Sequence, residues 1–248
     1  MGTWEIDAFN YFSVIEDGEV LDIRPAKQKA LLALLVIHMN ELITMDTIIS
    51  GLWPSRLPGH PRKSVQVYIS RLRAGLSQTE ARTSPVLHRL SPGYILRIDP
   101  AQVATARFEK LTKHGWALLR ANQVTEASEF FSQAIAHWGA APYGDLTQYD
   151  FVMDERERLE EVWLAAMTGQ AECLLELGNY QSAIDLLAPI VNHYPLREDL
   201  AAHFVTALSE TGRRSDALLA YQRTRSSLDE LGIKVGSMLY GIYQGIVE

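Results

Sequence analysis

Two arginines two positions apart stand out in the stretch SVQVYISRLRAGL, residues 64–76. If this stretch is a helix, four apolar residues fall on one narrow stripe that we expect to face the core: Val65, Ile69, Leu72 and Leu76. Arg71 lies on the opposite side, and Arg73 lies on the flank beside Gln66, about 160° from Arg71. The two guanidinium groups therefore cannot make the same contact.

The face opposite the stripe combines cations with small and hydroxyl side chains. It holds Lys63, Val67, Ser70, Arg71 and Ala74. An arginine can donate two hydrogen bonds to guanine, a serine can bond to a base or a phosphate, and a methyl group can pack on thymine. The face therefore suits the major groove of DNA. A solvated surface helix with incidental arginines is the alternative that this helix alone leaves open.

The charge of the chain changes sign along its length, although the net charge is −7. Residues 24–97 hold eleven Lys and Arg against three acidic residues, a balance of +8, whereas residues 101–248 hold twelve against twenty, a balance of −8. A basic region suits a polyanionic partner, and an acidic region suits solubility or contacts with protein. We therefore predict two domains with different partners, residues 1–99 and residues 100–248.

Composition also bears on the compartment. The single cysteine, Cys173, lies in an apolar helical run, which argues for a reducing cytoplasm and against a disulfide or thiolate–metal framework. The N-terminal residues lack the basic and apolar segments of a secretory signal. No apolar run approaches the roughly 18–20 residues of a membrane span. We predict a cytoplasmic protein.

The chain carries no motif for nucleophilic or metal catalysis. Its seven histidines form neither H-x-x-x-H nor H-E-x-x-H, and both G-x-S-x-G and the phosphate-binding G-x-x-x-x-G-K-[ST] are absent. Glu157 and Glu161, with Arg158 between them, resemble paired carboxylates, but such charges more often mark a solvated helix face. We expect no enzymatic activity, no metal and no cofactor.

A small antiparallel sheet is predicted at the start of the chain. Three short segments rich in aromatic and β-branched residues have strand patterns, at residues 3–8, 11–15 and 19–22. The Asp17-Gly18 pair before the last segment is a strong signal for a hairpin turn. We therefore expect a small antiparallel sheet ahead of the helices.

Three helices and a second hairpin follow this sheet. Pro25 opens an apolar helix, and Thr44 is a candidate N-cap for the next helix. A proline-rich loop at 53–63 precedes the basic helix, and two strand patterns around a Ser-Pro-Gly turn occupy residues 86–98. The order sheet, helix, helix, loop, helix and hairpin is that of a winged helix-turn-helix.

The segments SVQVYISRLRAGL and SPGYILRI resemble the DNA-binding domain of OmpR-type response regulators. The segment KQKALLALLVIHMNELITMDTIISGLWP is similar to the matching part of the SARP family, the Streptomyces antibiotic regulatory proteins. This resemblance is continuous over about residues 3–99. It implies that residues 63–76 are the recognition helix, that residues 86–98 are the wing, and that the loop at 53–63 contacts RNA polymerase, including its sigma factor.

The helix face and the resemblance together give the expected contacts. The side chains expected to bind DNA are Lys63, Ser64, Val67, Tyr68, Ser70, Arg71, Arg73, Arg89 and Ser91. The side chains expected to contact the polymerase are Ser55, Arg56, Leu57 and His60. Base contacts would specify the sequence, and phosphate contacts would position the protein.

The wing departs from the family pattern at one position. Family members often carry an arginine at the wing tip, four residues before the tyrosine of the Gly-Tyr pair. Here that position is Leu90, and Arg89 comes one residue earlier. A shift of one residue in a strand sends a side chain to the other face. The face on which Arg89 lies therefore decides whether it can replace the family's arginine.

The second half contains a repeat of 34 residues. ELGNYQSAIDLLAPIV aligns without a gap with ETGRRSDALLAYQRTR, which pairs Gly178 with Gly212 and Ala183 with Ala217. RANQVTEASEFFSQAI, which contains Ala127, is a weaker copy separated by an insertion around HWGAAPYGDLTQYDF. This period is that of tetratricopeptide (TPR) repeats. We predict a solenoid of about three helical hairpins, covered at its end by a last amphipathic helix.

The segments ARFEKL, HYPLRED and ALSETGRRSDALLAYQRTRSSLDELGI also resemble SARP proteins, whose C-terminal half is called the bacterial transcriptional activator domain. The expected fold is mainly α with a small α+β domain: an N-terminal winged helix followed by TPR-like repeats. The family resemblance implies an activator of a secondary-metabolite gene cluster that binds direct repeats near the promoter as a homodimer. The alternative is a TPR-type interaction scaffold or a ligand-sensing regulator whose winged helix binds protein.

Overall fold

The structure is a computed structural model that describes residues 4–9, 11–76, 85–139 and 141–248. It contains two compact units: Met1–Glu109 with His137–Glu161, and Lys110–Ala136 with Val162–Glu248. A segment from the second half of the chain thus packs with the first half. Each compact unit consists of two separate segments of the chain. The division into residues 1–99 and 100–248 therefore stays a prediction.

The first unit opens with a three-stranded antiparallel sheet in the order β1-β2-β3. Its strands are slightly shorter than predicted: β1 (Trp4–Asp7), β2 (Ser13–Glu16) and β3 (Glu19–Val20). In the turn between β2 and β3, Asp17 has a φ of 50° and Gly18 a φ of 86°. Both values are left-handed, which explains why an Asp-Gly pair occupies this turn.

Three helices follow: α1 (Ala26–Ile37), α2 (Met45–Leu52) and α3 (Pro61–Leu76). Helix α1 is central, and all its residues from Ala30 to Val36 are buried. The Thr44 hydroxyl accepts a hydrogen bond from the Thr47 N–H at 3.1 Å, which confirms the predicted cap of α2. Helix α3 begins at Pro61, two residues earlier than expected, because a proline fits the first helical position, where its missing N–H is not needed.

The wing belongs to a second antiparallel sheet in the order β4-β6-β5. Its strands are β4 (Ile43–Thr44), β5 (Val86–Leu90) and β6 (Gly93–Arg97). Strands β5 and β6 are the predicted hairpin, whereas β4 was not predicted because two residues make no pattern. A Cβ atom at Gly93 would lie 1.8 Å from the carbonyl oxygen of Ile43, so only glycine allows this close pairing.

The remaining elements are helical and form the predicted hairpins. After a 3₁₀ turn at Pro100–Gln102, the helices are α4 (Ala104–Arg120), α5 (Val124–His137), α6 (Asp150–Glu176), α7 (Tyr180–Leu187), α8 (Glu198–Glu210), α9 (Arg214–Glu230) and α10 (Ser237–Val247). Helix α10 packs on α8 and α9, as expected for a helix that covers the end of the repeats. Within the described residues, no helix is long and apolar enough to span a membrane.

The corners of the hairpins explain the repeat. Gly178 and Gly212 have φ values of 73° and 76°, and Asn122 takes the same place in the first copy with a φ of 59°. Glycine and asparagine tolerate this left-handed backbone better than other residues. The alanines predicted at the close-packed position are fully buried: Ala127, Ala183 and Ala217.

The insertion before the second hairpin packs against the first sheet, within the first unit. The buried Tyr143 donates its N–H to the Ala8 carbonyl oxygen at 2.7 Å and stacks on Phe12, with ring centroids 5.7 Å apart. The Asp145 carboxylate accepts a hydrogen bond from the Phe12 N–H at 3.0 Å and forms an ion pair with Lys29. The insertion is therefore a structural cover for the sheet, which the repeat pattern did not indicate.

The charged stretch at the start of α6 has a structural role. The Arg158 guanidinium binds Glu155 at 2.7 Å and Glu109 at 2.5 Å, and hydrogen bonding to Glu155 raises the pKa of Arg158. Glu155 is buried, so loss of Arg158 would leave a buried charge unpaired, and the two ion pairs join α4 to α6 inside the first unit. The expected solvated face holds for Glu157, Glu161 and Arg158, which are all exposed, although Arg158 also binds these two carboxylates.

Candidate nucleic-acid interface

Helix α3 is held by the apolar stripe that its sequence predicts. The four residues of the stripe are all buried, and the helix packs on α1, α2 and β5. The four buried side chains are Val65, Ile69, Leu72 and Leu76. Their burial leaves the opposite side of the helix free to face a partner. The stripe therefore sets which side chains are presented.

The opposite face is exposed along its whole length. Lys63, Val67, Ser70, Arg71 and Ala74 are all exposed, and Val67 exposes 40% of its surface. An exposed valine in the middle of a basic face is an apolar group that a partner can contact. The face thus presents two cations, one hydroxyl and two apolar groups, the set that base edges and phosphates can bind. Their contact with DNA stays a prediction.

Arg71 lies at the edge of this face, on the side away from the wing. It lines a shallow cleft with Glu16, Asp22 and Gln28, which belong to or adjoin the first sheet and α1. Two carboxylates therefore line the same cleft as Arg71, and the carboxylate of Asp22 pairs with Arg24 at 2.9 Å. The Arg71 side chain is exposed and can reach a base.

Two predicted DNA contacts also have partners within the unit. The Ser64 hydroxyl donates a hydrogen bond to the His60 carbonyl oxygen at 3.2 Å, which ties the first turn of α3 to the preceding loop. Tyr68 is half-buried and stacks on Trp53, with ring centroids 6.4 Å apart. Trp53 is half-buried at the end of α2. Ser64 and Tyr68 therefore also position the recognition helix.

Arg73 connects the helix to the wing. It is half-buried, and its Nε donates a hydrogen bond to the carbonyl oxygen of Leu87 on β5 at 2.8 Å. Arg73 is expected to bind DNA, and an ion pair with Asp46 or Glu80 is the alternative that the sequence leaves open for it. Asp46 instead pairs with Arg62 at 2.6 Å, and Glu80 lies outside the described residues. Arg73 thus has a positioning role that the helical wheel did not indicate.

The register of the wing places Arg89 on the side of α3. Arg89 pairs with Tyr94, and Leu87 pairs with Leu96, so Arg89 shares a strand face with the buried Leu87. Leu90 lies on the other face and exposes 47% of its surface. The shift of one residue therefore brings the Arg89 guanidinium towards the recognition helix.

A cleft between α3 and the wing joins the two parts of the candidate interface. It is lined by Arg62 and Gln66 from α3 and by Arg89 and Ser91 from the wing. Arg62 was not among the predicted contacts, although the sequence PRK at the start of the helix was a signal for it. Gln66 lies on the flank of the helix, and the sequence predicts no contact for it. The four side chains form one polar surface with two cations.

The loop before α3 spans residues 53–60, shorter than the predicted 53–63 because α3 begins at Pro61. The side chains expected to contact the polymerase are all exposed: Ser55, Arg56, Leu57 and His60. Leu57 exposes 57% of its surface. An exposed leucine at a loop tip is a group that a protein partner can cover.

No group of three or more His, Cys, Asp and Glu side chains within the described residues is arranged to hold a metal ion. Cys173 is buried and forms no disulfide bond. Burial raises the pKa of its thiol to about 11, which keeps the sulfur protonated and unreactive at neutral pH. The polar surface formed by α3 and the wing is therefore the candidate site in the first unit.

Comparisons with known proteins match both halves of the chain. The family model "Transcriptional regulatory protein, C terminal" matches residues 20–96, and the family model "Bacterial transcriptional activator domain" matches residues 103–247. The transcriptional regulatory protein EmbR of Mycobacterium tuberculosis is 32% identical over 93% of this chain, which spans 60% of the length of EmbR.

Two further comparisons extend this similarity. The transcriptional regulator RedD of Streptomyces coelicolor is 30% identical over 96% of this chain and 69% of its own length. A solved structure of Mycobacterium tuberculosis EmbR in complex with a low affinity phosphopeptide has a TM-score of 0.93 at 30% identity, covering 100% of this chain and 65% of that chain. The chain therefore belongs to the SARP family of transcriptional regulators, with an OmpR-like DNA-binding domain followed by a bacterial transcriptional activator domain.

Proposed function

We propose that this chain is a cytoplasmic activator that binds promoter DNA of a secondary-metabolite gene cluster and contacts RNA polymerase. The observation that carries the proposal is the exposed basic face of α3 together with the polar cleft that α3 forms with the wing. Lys63, Ser70 and Arg71 are exposed on the helix, and Arg89 adjoins Arg62 at the cleft. A helix in the major groove beside a cationic wing is a geometry that reads bases and binds phosphates at once.

The finer parts of the proposal concern the arrangement on DNA. The winged helix would read one half-site, and a second copy of the chain would read the next half-site in the same orientation. Such direct repeats would lie about 10 bp apart, one turn of the duplex, or a multiple of that distance. The loop at 53–60, with its exposed Arg56 and Leu57, would then face the polymerase and its sigma factor.

Selection of bound fragments from random DNA tests the proposal directly. The full chain should enrich one motif in two copies of the same orientation, and footprinting should protect both copies. Transcription from that motif, reconstituted with the polymerase of the source organism, should rise when the protein is added. Absence of an enriched motif, with affinity that falls equally for all sequences as salt increases, would refute sequence-specific binding.

A further inference from the structure

A cavity of about 430 Å³ lies inside the second unit, between α7, α8 and α9. Helix α9 lines it with Ala220, Arg223, Thr224 and Ser227, which share one face of the helix at spacings of three and four residues. Its volume lies in the range of pockets for small molecules. This face is the one that a ligand between the hairpins would contact.

Thr224 supplies a buried polar group with no partner. The residue exposes only 5% of its surface, and its hydroxyl makes no hydrogen bond to any described residue. A helical threonine commonly donates to the carbonyl oxygen four residues earlier, as Thr206 does to Ala202 at 2.9 Å. A hydroxyl that lines a cavity and makes no such bond can bind a ligand, and an unmade hydrogen bond favours a ligand that supplies it.

Arg223 supplies a charge beside this hydroxyl. Its guanidinium is exposed and has no ion pair among the described residues, whereas Arg225, two residues later, pairs with Asp229 at 3.4 Å. No acidic side chain is among the described residues that line the cavity. The cavity is therefore electropositive, and its cation and hydroxyl match the two acceptor oxygens of a carboxylate.

The rest of the cavity is largely apolar. Val191 follows α7, Phe204 projects from α8, and Ala220 lies one turn before Arg223 and Thr224 on α9. These side chains would cover a hydrocarbon or aromatic body, while the polar groups fix one end of the ligand. A few convergent polar groups on an apolar wall are typical of sites that orient a small molecule.

We infer that this cavity binds a small amphipathic organic acid. The carboxylate would accept hydrogen bonds from the Arg223 guanidinium and the Thr224 hydroxyl, and the apolar body would pack on Val191 and Phe204. The inference adds a ligand site to the proposed DNA-binding function and does not depend on it, because all the residues involved lie in the second unit.

Calorimetric titration of the full chain, without DNA, tests the site. The probes are octanoate and phenylbutanoate, each compared with its uncharged amide of the same shape. Because charge-assisted hydrogen bonds are the strong ones, we expect each acid to bind about tenfold more tightly than its amide. Equal affinity of acid and amide, or no heat from either acid, would overturn the inference.

Three variants separate the site from a general effect of charge. Arg223→Gln should weaken binding of both acids about tenfold, and Thr224→Val should weaken it about threefold. Arg225→Gln removes the same charge from the same helix but outside the cavity, and should leave affinity unchanged. Thr224→Val should keep the melting temperature of the parent chain, because its hydroxyl bonds to no described residue. Equal losses from Arg223→Gln and Arg225→Gln would overturn the inference in favour of nonspecific attraction.

Discussion

Arg73 and Leu87 join the recognition helix to the wing through one hydrogen bond, from the Arg73 Nε to the Leu87 carbonyl oxygen at 2.8 Å. The two elements that would bracket the DNA backbone therefore do not move independently at this point. Arg73 is half-buried, so removing it leaves a backbone acceptor without its partner. The bond gives the arginine a structural role that can be separated from any contact with DNA.

The first prediction follows from this bond. Arg73→Ala should lower the free energy of unfolding by about 1 kcal/mol, the typical net worth of one hydrogen bond. DNA affinity should fall for all sequences alike, while the slope of log K against log salt should change little, since Arg73 is engaged on the protein. Thermal melts and binding at four salt concentrations measure both effects. A slope flatter by about one, with an unchanged melting temperature, would show a phosphate contact instead.

Arg71 is predicted to read a base. Arg71→Ala should cost about 1–3 kcal/mol of affinity for the preferred site and much less for random DNA. Arg120→Ala, an exposed arginine at the end of α4, changes the net charge equally and should affect neither. Competition binding with the selected site and with random DNA gives the two affinities. Equal losses on both DNAs would make Arg71 a phosphate contact only.

The wing offers a paired test because the consecutive residues Arg89 and Leu90 lie on opposite faces of β5. Arg89→Ala should weaken binding to DNA and flatten the salt dependence by about one unit, as expected when one phosphate contact is lost. Leu90→Ala changes the other strand face and should leave the slope as it is. The double variant Leu90→Arg with Arg89→Leu moves the cation to that face. If the double variant bound DNA with full affinity, DNA binding would not depend on the strand face that carries the arginine.

The helix and the repeats could be predicted from sequence because their signals are local. The buried stripe of α3 follows from a period of 3.6, and the hairpin corners follow from a 34-residue repeat with Gly178 and Gly212 at the left-handed position. Partners far apart in the chain leave no such signal. The bond from Arg73 to Leu87 and the packing of Tyr143 on Phe12 depend on tertiary structure that periodicity does not encode.

The candidate site was only partly predictable for the same reason. The wheel identified which side chains of α3 are exposed, including Arg71 and Val67. It did not indicate that Arg62 and Gln66 share a cleft with Arg89, because that relation depends on the register of β5 and β6. The sequence correctly placed Arg158 on an exposed face, but it did not indicate that a carboxylate from another helix binds it.

The loop before α3 should act on transcription rather than on binding. Leu57→Ala or Arg56→Ala should leave promoter affinity within about twofold, because a substitution at an exposed position without a DNA contact changes little. Transcription in a reconstituted assay should fall, since Leu57 is the most exposed apolar group of the loop. Ser50→Ala, an exposed position on the adjoining α2, serves as the control. A parallel loss of affinity and transcription would mean that the loop touches DNA.

The last prediction concerns the insertion that covers the first sheet. The Asp145 carboxylate holds two groups, the Phe12 N–H and the Lys29 ammonium, and about a quarter of each charged side chain is exposed. Asp145→Ala should cost about 2 kcal/mol of unfolding free energy, because it leaves a backbone donor and a partly buried cation without partners. Asp145→Asn keeps an acceptor for the N–H and should cost about 1 kcal/mol.

A double-mutant cycle with Lys29→Met isolates the ion pair from the hydrogen bond. Lys29→Met should cost less in the Asp145→Ala background than in the parent chain, because the carboxylate that it would leave unpaired is already gone. Asp154→Asn, an exposed position on α6, removes a charge without these contacts and should leave the melting temperature unchanged. If Asp145→Ala melted at the temperature of the parent chain, the insertion would be held by Tyr143 and its aromatic neighbours alone, and the carboxylate would contribute nothing to the fold.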